Sequence, residues 1–224
     1  MSNAPRFIHL RTHSEYSLLE GALRLKKLPD MCVEAGMPAM ALTDTNNMFA
    51  ALEFSVAMSG AGVQPILGCQ VDLEYAPPQT GERARAPAPV VLLAQSEAGY
   101  ENLMRLNSCL YLDKGGALPQ VTMAELAAHS RDVICLTGGA AGPVGVLLQN
   151  AQQPAAQAVM EALAQTFGDR LYVEIQRHPG EAGLPEAERL TDEHYRDALA
   201  AGLADAIREY RRSLDRDPLD ATDA

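Results

Sequence analysis

The sequence has no long apolar run, few basic residues and no recognisable export signal. It lacks the stretch of about 18 consecutive apolar residues that a membrane span needs. The start of the chain also lacks the charged and apolar regions of a secretory signal, so we expect a cytoplasmic protein. Lys and Arg number 18 against 29 Asp and Glu, giving a net charge of −11. This deficit argues against the chain being the main DNA-binding region of a protein, because phosphate binding requires a surplus of cationic side chains.

The cysteines are few and isolated. Cys32, Cys69, Cys109 and Cys135 each lie alone within an apolar stretch, and no CxxC pair occurs. The spacing therefore indicates neither a zinc ribbon nor a redox pair. We interpret them as buried free thiols in a reducing compartment.

The body of the chain repeats a strand, a polar exit and a helix, which predicts an α/β fold with a parallel sheet, open or closed. At 224 residues, 47% of them hydrophobic, the chain is long enough for one sizeable core. The predicted strands are 7–13, 39–43, 65–75, 90–94, 132–137 and 170–176. The predicted helices are 22–35, 48–61, 97–112, 142–149 and 154–167, with a short helix capped by Thr122 and Glu125.

The last part of the chain has a different composition. Residues 185–214 are rich in Ala, Leu, Glu and Arg and have no strand signal, so we predict one or two amphipathic helices there. Residues 215–224 carry four aspartates and one proline, a composition typical of a disordered tail. The expected organisation is a domain over 1–184, a helical segment over 185–214 and an acidic tail over 215–224.

The first predicted strand carries three basic side chains in alternation. His9, Arg11 and His13 would share one face of an extended segment. The carboxyl end of a first strand is where α/β barrels place their sites. The alternative is that these are ordinary polar residues at the end of a strand.

Four stretches carry a resemblance to a known family. They are 9–21 (HLRTHSEYSLLEG), 41–49 (ALTDTNNMF), 64–70 (QPILGCQ) and 171–178 (LYVEIQRH). In order and spacing they resemble the PHP (polymerase and histidinol phosphatase) domain that opens the alpha subunit of bacterial replicative DNA polymerase III. The resemblance covers roughly residues 5 to 185 and implies a distorted barrel of seven βα units. Only six strands are predicted, so we expect the last one to be missing and the helical tail to follow.

The resemblance also implies where metal ligands belong. Metal-binding PHP domains are understood to hold up to three zinc, manganese or iron ions on a ring of His, Asp, Glu and Cys side chains. Four ligand positions are retained or conservatively replaced, as His13, Glu20, Asp44 and His178. Five are altered: Arg11, Thr45 and Pro89 stand where histidines are expected, Gln70 where a glutamate is and Gly139 where a cysteine is. The final Asp-x-His has no counterpart.

Arg11 is the most consequential of these changes. It places a permanent cation where a dication would bind, and at about 4 Å and an effective dielectric near 20 that repulsion is roughly 8 kcal/mol. We therefore expect a vestigial site without a zinc, manganese or magnesium cluster. We also hypothesise that Arg11 takes the place of the metal by joining Asp44 and Glu20 through forked hydrogen bonds.

Three functions follow as hypotheses. The resemblance implies a non-catalytic module of a DNA-directed DNA polymerase (a nucleotidyltransferase), acting in DNA replication. As such it would dock the rest of the polymerase and the proofreading exonuclease subunit epsilon, and contact DNA only indirectly. The second hypothesis is a metal-dependent phosphoesterase or 3′–5′ exonuclease. The third is a truncated polymerase fragment with no activity of its own.

Overall fold

A computed structural model describes residues 7–75, 85–112 and 118–175 of the chain. Its strands, in chain order, are β1 Ala39–Leu42, β2 Gln64–Glu74, β3 Ala88–Ala94, β4 Val121–Thr122, β5 Val133–Leu136 and β6 Leu171–Tyr172. Its helices are α1 Leu28–Glu34, α2 Ala51–Gly60, α3 Glu97–Cys109, α4 Met123–Ala128, α5 Pro143–Gln149 and α6 Gln153–Phe167. Short 3₁₀ turns cover Leu25–Lys27, Gly139–Ala141 and Gly168–Arg170. The α/β class predicted from the sequence is confirmed.

The sheet is mixed rather than parallel, which corrects the sequence-based expectation. Its order is β1-β2-β3-β5-β6, with β4 added on β2. β1 and β4 run parallel to β2, and β6 runs parallel to β5, but β3 is antiparallel to both β2 and β5. The expectation rested on the strand–helix rhythm, although the predicted elements include no helix between the strands over 65–75 and 90–94, a connection that permits an antiparallel pair. The start of β3 therefore lies at the same edge as the carboxyl ends of β2 and β5.

The predicted strand over 7–13 is wrong, because these residues do not form a regular strand. Residues 7–13 lie beside β1, where the Ala41 and Thr43 amides donate to the carbonyls of His9 and Thr12 at 2.8 Å. The Thr12 amide bonds the Thr43 hydroxyl instead of continuing a ladder. The first predicted helix also begins late, at the 3₁₀ turn over Leu25–Lys27.

Local sequence explains several helix boundaries. The Ser96 hydroxyl caps α3 by accepting from the Gly99 amide, and Thr122 and Glu125 form the predicted capping box on α4. Gly36, with φ of 65°, follows α1, a backbone conformation that glycine adopts without strain. In the part of the chain that the structure describes, no helix is long and apolar enough to cross a membrane.

Both faces of the sheet are covered, as the unbroken apolar sequence of β3 requires. Val90 and Leu92 point into the large core beneath α3 to α6. Val91 and Leu93 point the other way and pack with Ala41 and Leu136 in a smaller cluster. A third cluster joins α1 and α2 to β1. The face of the sheet that carries Val91 and Leu93 supports the edge at which the polar side chains of the candidate site meet.

Candidate functional site

The site is centred on the side chain of Gln70, which is 5% exposed on β2. Its Oε1 accepts from Arg11 Nε at 3.0 Å and Arg11 Nη2 at 2.7 Å, and lies 3.1 Å from His13 Nε2. Its Nε2 donates to the Thr45 hydroxyl at 3.1 Å. Every polar atom of this amide is therefore engaged, and the amide joins the first segment to the exit of β1.

Arg11 spans the site from the first segment to the end of the described chain. Its Nη1 lies 3.0 Å from Glu174 Oε1 and 3.4 Å from the Gly138 carbonyl. The two charged side chains are only 19% and 11% exposed, so solvent screens this pair weakly. The Glu174 amide donates to the Thr137 hydroxyl, which fixes the exit of β6 beside that of β5.

A second chain of polar contacts leads outward from Gln70. The Thr45 hydroxyl donates to Glu20 Oε2 at 2.5 Å, and His13 Nδ1 lies 3.6 Å from the same oxygen. Glu20 is about half exposed, so these contacts form the solvent-facing side of the site.

Asp44 is 2% exposed and is satisfied entirely by one loop. Its Oδ1 accepts from the Ser14 amide at 2.7 Å and the Ser17 hydroxyl at 2.6 Å. Its Oδ2 accepts from the Ser14 hydroxyl at 2.7 Å. The carboxylate thus anchors residues 14–17 to the exit of β1, and its lone pairs are directed at serine donors rather than at a shared centre.

The altered positions Pro89 and Gly139 lie at the same edge. Gly138 has a φ of 79°, and a Cβ there would come within 2.0 Å of the Pro89 carbonyl oxygen. The backbone after β5 therefore passes close against the start of β3, and Gly139 opens the following 3₁₀ turn. Neither residue offers a side chain that could bind a metal.

Burial sets the acidity of two neighbours of the site. Burial raises the pKa of Asp72, a hydrogen bond from Asn46 Nδ2 at 2.9 Å opposes the rise, and the Glu20 carboxylate adds to it. Burial also raises the pKa of the Cys69 thiol to about 12. Cys69, next to Gln70, is thus a neutral thiol at neutral pH rather than an activated nucleophile.

The structure brings together most of the positions that the sequence singled out. Those that meet at this edge are Arg11, His13, Glu20, Asp44, Thr45, Gln70, Pro89 and Gly139. His178 lies outside the described residues, as do the helical segment and the acidic tail. His9 is exposed and its ring packs edge-on against Phe7, so it does not share the contacts of Arg11 and His13.

The hypothesis that Arg11 joins Asp44 and Glu20 is wrong. Arg11 pairs with Glu174 and Gln70, whereas Asp44 takes its hydrogen bonds from Ser14 and Ser17. Sequence reasoning missed Glu174 because the family pattern places no ligand there. The signal that was available is a glutamate at the end of an apolar strand, within the stretch 171–178.

The polar side chains of this site hydrogen-bond to one another and to nearby backbone groups, rather than presenting unused donors and acceptors to a ligand. Within residues 7–75, 85–112 and 118–175, no three His, Cys, Asp or Glu side chains are grouped so that they could hold a metal ion. What the edge provides is a polar network, part charged and part neutral, that ties the first segment, β1, β2, β5 and β6 together.

These features define a mixed α/β domain with a polar network at one edge of its sheet. A model of the PHP domain matches residues 9–178, and the chain belongs to the PHP domain family. It is 46% identical over 182 residues to a DNA polymerase III subunit alpha from Caulobacter vibrioides, covering 80% of this chain and 15% of that protein. It is 36% identical over 190 residues to the subunit alpha of Treponema pallidum, covering 82% of this chain and 16% of that protein.

The chain therefore spans only about one sixth of the length of these relatives. Among solved structures, it is similar to an amidohydrolase from Chromobacterium violaceum at 15% identity and a TM-score of 0.36, covering 89% of this chain and 74% of that one. A likeness this weak adds nothing to the functional argument.

Proposed function

We propose that this chain is a non-catalytic PHP module of a replicative DNA polymerase III alpha subunit. It acts in DNA replication, in the bacterial cytoplasm, as a structural and docking platform. Its partners are the rest of the polymerase and the proofreading exonuclease subunit epsilon, and it contacts DNA only indirectly. Membership of the PHP family and the identity of the relatives support the replication context.

The observation that carries the non-catalytic part is the position of Arg11. Its guanidinium occupies the middle of the site and is held by Gln70 on one side and Glu174 on the other. A dication about 4 Å from it would be repelled by roughly 8 kcal/mol at an effective dielectric near 20. The arginine cannot lose its charge to relieve this repulsion.

The remaining donors do not fit a zinc, manganese or magnesium ion. The Gln70 carbonyl oxygen already accepts from Arg11 and contacts His13, and both Asp44 oxygens accept from serines. Thr45, Pro89 and Gly139 supply no anionic or imidazole ligand. Binding a metal here would require breaking several charge-assisted hydrogen bonds before any ligand bond formed.

The role that these contacts support is a structural one, because they join distant parts of the chain. Arg11 links residues that are 163 positions apart in sequence, and Gln70 joins that link to β2 and Thr45. Such a network holds the loops at this edge in fixed positions, which is the property a docking platform needs.

The docking proposal is tested with immobilised epsilon subunit from the same organism. We expect this chain to be retained, and the full-length alpha subunit to displace it competitively. Retention of full-length alpha but not of this chain would place the epsilon contact elsewhere in the polymerase and contradict the proposal. Retention of neither would mean that epsilon does not dock on this polymerase, and would also contradict the proposal.

A hydrolysis assay separates the enzymatic alternative. The chain is incubated with bis-p-nitrophenyl phosphate and with 3′-labelled single-stranded DNA, with added zinc or manganese. We expect rates equal to those of the metal alone. Metal-dependent turnover that survives repurification would instead establish a phosphoesterase or 3′–5′ exonuclease.

A further inference from the structure

An apolar surface lies beside the polar network, on the loop 14–21, on Phe49 just before α2 and on α2 itself. Leu18 and Leu19 are 84% and fully exposed on the loop, and Phe49, Leu52 and Val56 are 75%, 76% and 66% exposed. We call these five side chains the rim patch. Two hydrogen bonds join its halves, because Asn47 Nδ2 donates to the Tyr16 carbonyl at 3.1 Å and the Tyr16 hydroxyl donates to Glu53 Oε2 at 3.4 Å.

The loop displays its two leucines from a fixed backbone. The amides of Glu20 and Gly21 both donate to the Ser17 carbonyl, and the Ser17 hydroxyl donates to the buried Asp44. Leu19 has a φ of 69°, a conformation that is unfavourable for a bulky residue unless its surroundings impose it. Backbone strain of this kind is concentrated at the functional sites of proteins, including the sites that bind ligands.

The helix of the rim patch is apolar on both sides. Its inner face buries Ala51, Phe54 and Met58. Its outer face presents Leu52 and Val56, one turn apart, with Phe49 one turn before them and Glu53 as the only charged residue of the helix. Helices that are apolar all round are normally covered on all sides.

We propose that residues 199–214 of this same chain cover the rim patch. Leu199, Leu203, Ile207, Tyr210 and Leu214 recur at intervals of four, four, three and four residues. That spacing aligns all five on one face of a helix. The segment lies beyond residue 178, where the match to the PHP family ends, and the inference does not rest on the proposed polymerase function.

One charge of the segment is placed to meet the rim patch. Glu15, Glu20 and Glu53 are exposed around the patch. At about 100° per residue, Arg211 flanks the apolar stripe of the segment, whereas Arg208 and Arg212 lie on the side of the helix away from it. A cation beside the stripe favours the orientation in which it faces one of these carboxylates.

The described chain ends at the polar network, which the loop 14–21 also borders. Glu174 pairs with Arg11 there, and Glu20 of the loop contacts Thr45 and His13. The 24 residues from 176 to 199 could extend by about 80 Å, at roughly 3.3 Å each, so the connection imposes no limit. A tethered segment also acts at a high effective concentration, which favours it over a free partner of the same chemistry.

Hydrogen exchange of the full chain, followed by mass spectrometry, tests the proposal. We expect slow exchange over 199–214, and at least about tenfold faster exchange there in the double variant Leu52→Asp/Val56→Asp. Met104→Asp, on the exposed face of α3, is the matched control and leaves the segment protected. Glu53→Arg weakens the protection, and adding Arg211→Glu restores it.

Three results would overturn the proposal. Fast exchange of 199–214 in the unmodified chain means that the segment is undocked. Protection that persists in Leu52→Asp/Val56→Asp means that it docks elsewhere. Protection that falls on dilution, together with a dimer mass in light scattering, means that a second copy covers the patch. Each of these results leaves the binding of epsilon untouched, so the two proposals fail independently.

Discussion

Two nearly buried carboxylates at one edge of the sheet, Asp44 and Glu174, are stabilised in opposite ways. Asp44 is surrounded by neutral donors from a single loop, at 2.6 to 2.7 Å. Glu174 pairs with the cation of Arg11 across 163 residues of sequence. The first arrangement fixes a local turn, and the second fixes the distance between the two ends of the domain. Because burial penalises an unpartnered charge, each carboxylate depends on its own partner.

The largest expected effect comes from Asp44→Ala. It leaves the Ser14 amide and two serine hydroxyls without their acceptor in a buried site. Stranded donors cost about 1–3 kcal/mol each, and partial rearrangement of the hydroxyls reduces the sum to about 4 kcal/mol. Urea denaturation measures this loss. Asp44→Asn, which keeps one acceptor oxygen, should lose about half as much. Equal losses in the two variants would mean that the charge, and not the number of acceptors, holds the loop.

Arg11→Met should come next, at about 2–3 kcal/mol, because it removes the ion pair with Glu174 and the fork to Gln70 in a weakly solvated position. The control is the double variant Arg11→Met/Glu174→Gln, which should be at least about 1 kcal/mol more stable than the sum of the two single losses predicts. A double variant that is as unstable as the sum of the single variants would show that the pair contributes nothing.

Arg11→His sharpens the contrast with metal-binding relatives of the family. The imidazole loses the fork to Gln70 and the contact with Glu174, so we expect a loss of about 1–2 kcal/mol of stability. It restores one ligand of five, so zinc titration calorimetry should show no stoichiometric binding. Tight zinc binding by this variant would mean that Arg11 alone had blocked a site that was otherwise intact.

Sequence reasoning was sound where the pattern is local and failed where it is not. The capping box at Thr122, the extended β1 and β2 and the cluster of altered ligand positions could all be predicted from neighbouring residues. The antiparallel β3 and the partner of Arg11 could not. Periodicity does not encode strand direction, and nothing near Arg11 in sequence indicates Glu174.

The smallest predicted effect concerns Asp72. Its pKa is raised in the folded protein from an ordinary value near 3.8, so the folded state binds the proton more tightly than the unfolded state. Protonated Asp72 therefore favours the folded state at low pH. This contribution to the free energy of unfolding is lost as the pH rises through the raised pKa of the folded protein. Asp72→Asn should flatten this part of the stability profile and change neutral stability by less than about 1 kcal/mol, as measured by urea denaturation between pH 4 and 7. An unchanged slope would contradict the burial of the carboxylate.

The central claim is that a guanidinium, held by Gln70 and Glu174, occupies the place where metal-binding PHP domains hold their ions. The metal content of the purified protein, measured by elemental mass spectrometry without chelator treatment, tests it most directly. The account predicts zinc, manganese and iron each well below one equivalent per chain. Bound transition metal at one equivalent or more would contradict it.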